Sequence, residues 1–472
     1  MVGSPGPDLI GGRTDASRIS AAVPEGGLQD LNRFDYPSPR IGVHRFPEPS
    51  IGSMTSSLTI IGLGYVGLPL AQEACRSGLS VTGLDVSTSV VEGLNAGRSH
   101  VDDLSDEDVA SMLEGGFVAT TDSSVIAASD VVVICVPTPL SGDGTPDLEA
   151  VLSATRSIAE NLSGGTLVVL ESTTYPGTTE DIVRPVLEEG SGLRASEDFA
   201  LAYSPERIDP GNATFGLRNT PKVVGGLSPE CTRQALDFYG QLVDTVVPTV
   251  GTREAELAKL LENTYRHVNI ALMNEMAIFC HELGIDLWAA IDAARTKPFG
   301  FQAFYPGPGV GGHCIPIDPN YLSWVVRSLG YRFHFVELAQ EVSERMPGYV
   351  AKRAQDALNA DRKSVNGSSI VLVGVSYKAD ISDQRETPAR PLASQLMGMG
   401  GEVSYLDPHV ESFEAGGVTL PRVTDPESAI TAADLVILLQ PHSQILASGV
   451  LDRAAKMLDT SGTQTGEHVD RL

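Results

Sequence analysis

Two stretches of this chain repeat one pattern: an apolar run, a glycine-containing turn, an amphipathic segment, and a second apolar run closed by Asp. The first spans Leu58 to Asp85 and the second Ser369 to Asp407. A strand that feeds a helix through a glycine turn and returns as a parallel strand is the unit of a doubly wound sheet, so the repeat restricts the chain to an α/β architecture. Around the first unit the runs LTIIGLG, LSVTGLD, DVVVICVP, GTLVVLEST, FALAYSP and PKVVGG alternate with amphipathic stretches, which predicts a parallel sheet covered on both faces. Near Arg253 the period changes to a long helical run, REAELAKLLENTYRHVNIALMNEMAIFCHELG, closed by Gly284. That run is too long for an ordinary crossover helix and reads as a spine.

The expected class is therefore α/β, with two Rossmann-like domains, at 57–250 and 365–458, joined by a helical central domain at 251–350. Residues 1–56 contain eight Gly, seven Pro and seven Ser with little apolar periodicity, a composition expected to stay disordered. The end, 459–472 (DTSGTQTGEHVDRL), reads as a polar tail. With 33 basic and 60 acidic residues the net charge is −27, which argues against a nucleic-acid or anionic-membrane surface. No apolar run approaches the ~20 residues of a membrane span, and the N-terminus shows no secretory pattern, so a cytoplasmic protein is expected. Five widely spaced cysteines, Cys75, Cys135, Cys231, Cys280 and Cys314, suggest neither a disulfide framework nor a zinc site, and no metal is expected.

The sharpest motif is GLGYVG. Gly62, Gly64 and Gly67 follow the strand LTII and open a helical segment, and Asp85 ends the next strand 18 residues after Gly67. Such glycines let the backbone approach a pyrophosphate at a helix N-terminus, and the Asp85 carboxylate can accept from ribose hydroxyls while repelling a 2′-phosphate. NAD is thus the expected cofactor. In PGPGVGGHCIPIDP (306–319) a run of Gly and Pro leaves Cys314 with little cover. Cys314 is a candidate nucleophile, the alternative being an inert thiol; Asp318 can serve as a base or orient water, and His313 can tune the site or be structural. Lys259 and Asn263 stand at i, i+4 on the spine helix with Arg266 near the same face, either a solvated face or an anion-binding stripe. Thr173 in ESTTYPGTT and Glu206 in YSPERIDPGN lie at strand ends, where open α/β sheets bind ligands. In YKADISDQRETP, Lys378 and Arg385 follow a strand, a position suited to phosphate or carboxylate contact.

Taken in this order, from about Leu58 to Pro441, the motifs resemble the UDP-glucose/GDP-mannose dehydrogenase family. ESTTYPGTT, YSPERIDPGN, NTYRHVNIALMNEMA, TKPFGF and YPGPGVGGHCIPIDP look most like the branch acting on UDP-N-acetylglucosamine. The resemblance implies a four-electron oxidation of a sugar C6 alcohol with two NAD⁺, through a thiohemiacetal and thioester on Cys314, on UDP-N-acetylglucosamine or, alternatively, on UDP-glucose, UDP-N-acetylmannosamine or GDP-mannose. It further implies that Lys259 and Asn263 stabilise the oxyanion, that Asp318 assists proton transfer or the hydrolytic water, and that Thr173 and Glu206 hold that water or act as base. The implied cofactor set is Gly62, Gly64, Tyr65, Val66, Gly67, Asp85, Thr138, Thr173 and Arg385. The implied substrate set is Glu206, Lys259, Asn263, Arg266, Tyr305, Gly311, His313 and Lys378, with the C-terminal domain binding UDP and a homodimer or higher homo-oligomer forming through the spine. The sequence departs from the glucose enzymes at Ile317, where they commonly carry Lys, at His313, and at Pro210, where they carry a second glutamate; LLQPHSQ also departs from their usual Asp-His ending. The first three favour an N-acetylated hexosamine. A two-electron β-hydroxyacid dehydrogenase would need neither Cys314 nor a second nucleotide domain, and a silent sensor would be expected to lose the thiol, the Lys or the glycines.

Overall fold

In the strands of the first unit, alternate side chains divide between two cores. Leu58, Ile60, Val131 and Val133 pack on one face, and Ile61, Val132 and Ile134 on the other. Burial on both faces is what a parallel sheet requires, and each such Leu, Ile or Val contributes roughly 1.5–3 kcal/mol. The computed structural model describes residues 56–472 apart from 103, 143, 210, 211, 213, 313 and 314, together with the backbone of 44–45.

Among the described residues the N-terminal sheet has nine strands. Its centre runs Val118–Thr120, Ser80–Leu84, Ser57–Ile61, Val131–Ile134, Leu167–Leu170 and Ala200–Tyr203, all parallel, and the chain reverses its winding direction between Ser57–Ile61 and Val131–Ile134. A doubly wound sheet binds its ligand beyond the carboxyl ends of the strands at that switch point. Two features differ from the sequence reading. Lys222–Gly226 runs antiparallel to Ala200–Tyr203, with Ala202 opposite Gly226, and Thr245–Pro248 adds beside it. His44–Arg45, within the segment expected to be disordered, pairs with Thr245–Val246; the rest of that expectation lies outside the described residues.

The spine helix covers Thr252–Glu282 and ends where Gly284 takes φ +66°. A shorter helix, Leu287–Ala294, follows it; then Asp318–Ser328 packs on the spine, and His334–Ala360 leads into the second unit. Pro347 lies inside that last helix. Having no N–H, it frees the Ser343 carbonyl four residues back, and the glycine-rich loop comes in beside it. A Cβ on Gly309, whose φ is +135°, would stand 3.3 Å from that oxygen and 3.1 Å from Pro388 Cβ. At Gly309 the loop thus lies against the second unit because no side chain there keeps it away.

The second unit is a five-stranded parallel sheet in the order Glu402–Leu406, Ser369–Val373, Leu435–Leu438, Met457–Asp459, Val469–Arg471. The last strand corrects the reading of 459–472 as a tail. Its alternation is hidden because it is short, polar and at an edge, but it is fixed by Arg353 of the His334–Ala360 helix. That side chain is 1% exposed and donates to Asp470 Oδ1 at 2.8 Å and to the Arg471 carbonyl at 3.0 Å. Trp288 Nε1 also donates to the Leu472 carbonyl. Removing Arg353 leaves a cavity and an unpaired strand edge. Arg353→Ala is expected to cost about 3 kcal/mol in unfolding free energy, and to raise amide exchange at 469–471 ahead of the rest of the sheet. Unchanged exchange there would remove Arg353 as the anchor.

Candidate active site

The glycine turn is shaped by contacts that exclude side chains. Gly62 takes φ +92° and donates its N–H to the Leu84 carbonyl at 2.8 Å. A Cβ there would meet the Cys135 carbonyl oxygen at 2.7 Å, and one on Gly67 would stand 1.9 Å from the Gly62 oxygen. Gly64 faces open space, so the turn presents bare backbone ahead of the helix Gly67–Arg76, with Val66 as its N-cap. Asp85 accepts from the Leu63 amide at 2.9 Å with one oxygen and from Ser87 at 2.8 Å with the other, leaving acceptor capacity on each. Free amides at a helix N-terminus beside a half-buried carboxylate fit the pyrophosphate and ribose of NAD. Tyr65, 39% exposed, lies under the Arg385 guanidinium at 5.3 Å. Thr138, beyond the strand Val131–Ile134, is buried and its carbonyl accepts from Tyr321 of the Asp318 helix.

The second unit repeats the turn. Gly374 donates to Leu406 at 2.9 Å, and Asp407 accepts from Val375 and His409, as Asp85 does from Leu63 and Ser87. In this copy His442 Nε2 meets Asp407 Oδ2 at 3.0 Å, and its Nδ1 accepts from the Asp380 amide. Burial pushes the Asp407 carboxyl up, but the His442 hydrogen bond and neighbouring amides hold it below the usual range.

Where the spine meets the Asp318 helix, four predicted residues come together. Asn263 Nδ2 donates to Asp318 Oδ2 at 2.6 Å, and Lys259 Nζ donates to the Glu206 carbonyl at 2.6 Å. Asp318 is 2% exposed; burial pushes its pKa up to about 6 against the opposing pull of Lys259 and Asn263. Lys259 keeps two further N–H donors and Asn263 one, so an ammonium and an amide remain available beside a carboxylate poised near neutrality. Thr173 is half-buried in the loop after the strand Leu167–Leu170.

Other predicted residues are placed differently. Arg266 is exposed, although Thr252, Lys259, Met273 and Cys280 in its column of the spine are buried; the stripe on the buried face continues through His267 instead. Tyr305 stacks on Trp288 at 5.3 Å, and its hydroxyl accepts from Arg295, which commits it to the Leu287–Ala294 helix rather than to Lys259. Lys378 pairs with Asp209 at 2.7 Å, and Arg385 pairs with Asp383 while covering Tyr65. A Cβ on Gly311 would meet Tyr377 Cβ at 2.7 Å, so its missing side chain serves packing. His313 and Cys314 lie outside the described residues.

Several charged groups were hidden from sequence reading. Lys222 bridges Glu171 and Glu206 at 3.0 and 3.1 Å. Glu256, one turn before Lys259 on the same face, is fully buried and accepts from the Gly177 and Thr179 amides and the Thr179 hydroxyl. Burial pushes its pKa up to about 7 while those bonds pull it down. They close a turn of π-helix, Thr178–Val183, which Thr252 and Arg253 also grip through Glu180 and Asp181. The signals were charged residues ending otherwise apolar runs, LVVLE and PKVV, and an acid at i−3 from Lys259.

A nucleotide-binding doubly wound unit, a second such unit, and an ammonium–amide–carboxylate group on the helix between them define an NAD-dependent dehydrogenase of a nucleotide-bearing substrate. Family models for the NAD binding domain, central domain and UDP binding domain of the UDP-glucose/GDP-mannose dehydrogenase family match residues 56–243, 253–345 and 371–463. The chain belongs to that family. It is 34% identical over 404 residues to the UDP-N-acetyl-D-mannosamine dehydrogenase of Escherichia coli K12, covering 82% of this chain and 94% of that one. With the UDP-N-acetyl-D-glucosamine 6-dehydrogenase of Pseudomonas aeruginosa it shares 35% over 402 residues, covering 83% and 92%. The solved UDP-D-ManNAc dehydrogenase of Pyrococcus horikoshii superposes with a TM-score of 0.79 at 31% identity, covering 88% of this chain and 99% of that one. No described helix is long and apolar enough to cross a membrane.

Asp318 yields a pH-dependent prediction. Its folded pKa, about 6, exceeds the ordinary 3.8, so the folded state holds the proton more tightly and stability falls as pH rises between those values. Asp318→Asn removes that burden. It is expected to be more stable than the parent by about 3 kcal/mol at pH 8, with the gain vanishing near pH 4 while activity is lost. Denaturant melts at both pH values check this, and a gain equal at both would reject the buried-carboxylate account.

Proposed function

We propose that this protein oxidises the C6 alcohol of a UDP-N-acetylhexosamine to the carboxylate in two steps without releasing the aldehyde. The observation that carries the reading is the buried Asn263–Asp318 hydrogen bond with Lys259 alongside, at the start of the helix that follows the Cys314 loop. NAD supplies the hydride acceptor in each step. The Cys314 thiolate adds to the aldehyde carbon, forming a C–S bond and leaving charge on oxygen. Lys259 and Asn263 donate to that oxygen, and each such donor contributes about 3 kcal/mol to the barrier, on the order of a hundredfold in rate. After the second oxidation, water attacks the thioester carbon, Asp318 takes its proton, and the C–S bond breaks to return the thiol. Overall one alcohol, one water and two NAD⁺ yield one carboxylate, two NADH and three protons.

The named relatives divide between the two C2 epimers, so both epimers are candidate substrates. Two NADH per sugar with UDP-N-acetylmannosamine or UDP-N-acetylglucosamine are expected, and none with Cys314→Ala, whose NAD⁺ affinity should stay within about threefold of the parent. One NADH per sugar, or activity surviving in Cys314→Ala, would reject the thioester route.

We further propose a cytoplasmic homodimer formed through the spine. Leu257, Leu261, Leu272, Phe279 and Leu283 lie along that helix, 41%, 62%, 48%, 46% and 68% exposed. An apolar row of this length on one helix is suited to pairing with its own copy. Light scattering is expected to give twice 49.9 kDa for the parent, and the monomer mass for Leu261→Glu combined with Phe279→Glu. A monomeric parent would overturn the interface.

A further inference from the structure

Lys222 takes no part in the chemistry above, yet it is among the most enclosed charges in the molecule, 4% exposed at the start of the strand Lys222–Gly226. Four groups face it from four elements. Glu171 closes the strand Leu167–Leu170, Glu206 follows Ala200–Tyr203, Tyr239 ends the helix Pro229–Tyr239 with its ring 5.3 Å away, and Cys135 ends Val131–Ile134. Tyr239 also donates its hydroxyl to Glu171. Burial pushes the Cys135 thiol up, so it adds no charge.

Both carboxylate oxygens of Glu206 are engaged. Oε1 accepts from the amides of Arg207 and Ile208, each at 2.6 Å, and Oε2 accepts from Lys222 at 3.1 Å. What Glu206 offers the spine helix is its main-chain carbonyl, which receives Lys259 Nζ at 2.6 Å. The charges Glu171, Lys222, Glu206 and Lys259 therefore alternate in sign from the sheet to the spine. A largely enclosed carboxylate held by two amides and an ammonium cannot shift without leaving a charge unpaired, so the 206–208 turn is fixed in place. Burial favours protonation of Glu206, but Lys222 and the Ile208 amide hold it below the usual range, which suits an anchor better than a base.

We propose that Lys222 is a positioning residue for Lys259: by clamping the Glu206 carboxylate it fixes the turn whose carbonyl aims the Lys259 ammonium. This deepens the assignment of Lys259 to the oxyanion and rests on it. The test reads Lys259 directly and uses no turnover. Full-length protein is pulse-labelled with acetic anhydride between pH 7 and 9, and acetylation of Lys259 is followed by peptide mass spectrometry. Lys456, which donates to the Ala357 carbonyl in the second unit, serves as the internal reference for general loosening.

In Lys222→Met, Lys259 is expected to label about tenfold faster relative to Lys456, the equivalent of one charge-assisted hydrogen bond. Lys222→Arg, which keeps the cation, is expected to restore protection. Glu206→Gln, which keeps Lys222, is expected to release Lys259 as Lys222→Met does, because the effect passes through that carboxylate. Parent-like labelling in Lys222→Met would overturn the clamp; if that variant does not fold, parent-like labelling in Glu206→Gln does so instead. NADH yield of the parent judges the activity separately, so a parent that makes no NADH strikes the functional reading and leaves the labelling ratio to judge the clamp.

Discussion

The first three turns of the spine helix hold the site together. Thr252, Arg253 and Glu256 grip the π-helical turn after Thr173, Lys259 takes the Glu206 carbonyl, and Asn263 takes Asp318. Three segments from two domains are thereby fixed to one rigid rod, at residues 7 and 11 positions along it from Thr252 for the last two. A helix rises 1.5 Å per residue, so this spacing sets where the groups stand far more firmly than loops could. The sheet delivers strand ends to that rod, and the Asp318 helix closes over it, anchored by Tyr321 on Thr138 and by Trp324 against Tyr175 at 5.4 Å.

The local charges follow from the same enclosure. Glu256 and Asp318 are raised by burial and Glu206 is lowered by its donors, so three carboxylates within a few turns hold different affinities for a proton. Separation of this kind comes from environment rather than residue type, and it allows an anchor and a proton acceptor to share one cleft.

Much of the architecture was legible in sequence because it rests on periodicity. The strands of both units, the spine and the glycine turns all carry patterns whose physical cause is burial or φ. Less legible was the reversal at Lys222–Gly226, since an all-apolar run reads alike in either direction, and the edge strand Val469–Arg471, whose short polar sequence is ordered by Arg353 more than 100 residues away. At the site, Lys259, Asn263 and Asp318 could be named from motifs. Glu171, Lys222 and Glu256 could not, because a single charge beside an apolar run becomes meaningful only when its partner is seen across the fold. Arg266 and Tyr305 show the converse: helix spacing put Arg266, and the family resemblance Tyr305, in the substrate set, while in the structure Arg266 is exposed on the spine and Tyr305 stacks on Trp288.

The duplicated glycine turn has one more implication. A dehydrogenase of nucleotide sugars must sort two ligands that both carry ribose and diphosphate, and its two halves descend to the same strand–turn–strand geometry. Asp85 is left with lone pairs to give, whereas Asp407 is 1% exposed and saturated by His442 and the amides of Val375, Ser376, His409 and Val410. The second half therefore offers no free carboxylate acceptor where the first offers Asp85. The two look-alike halves thus present different groups at the same place in the turn: a carboxylate with lone pairs to give in the first, and one already bonded by the protein in the second.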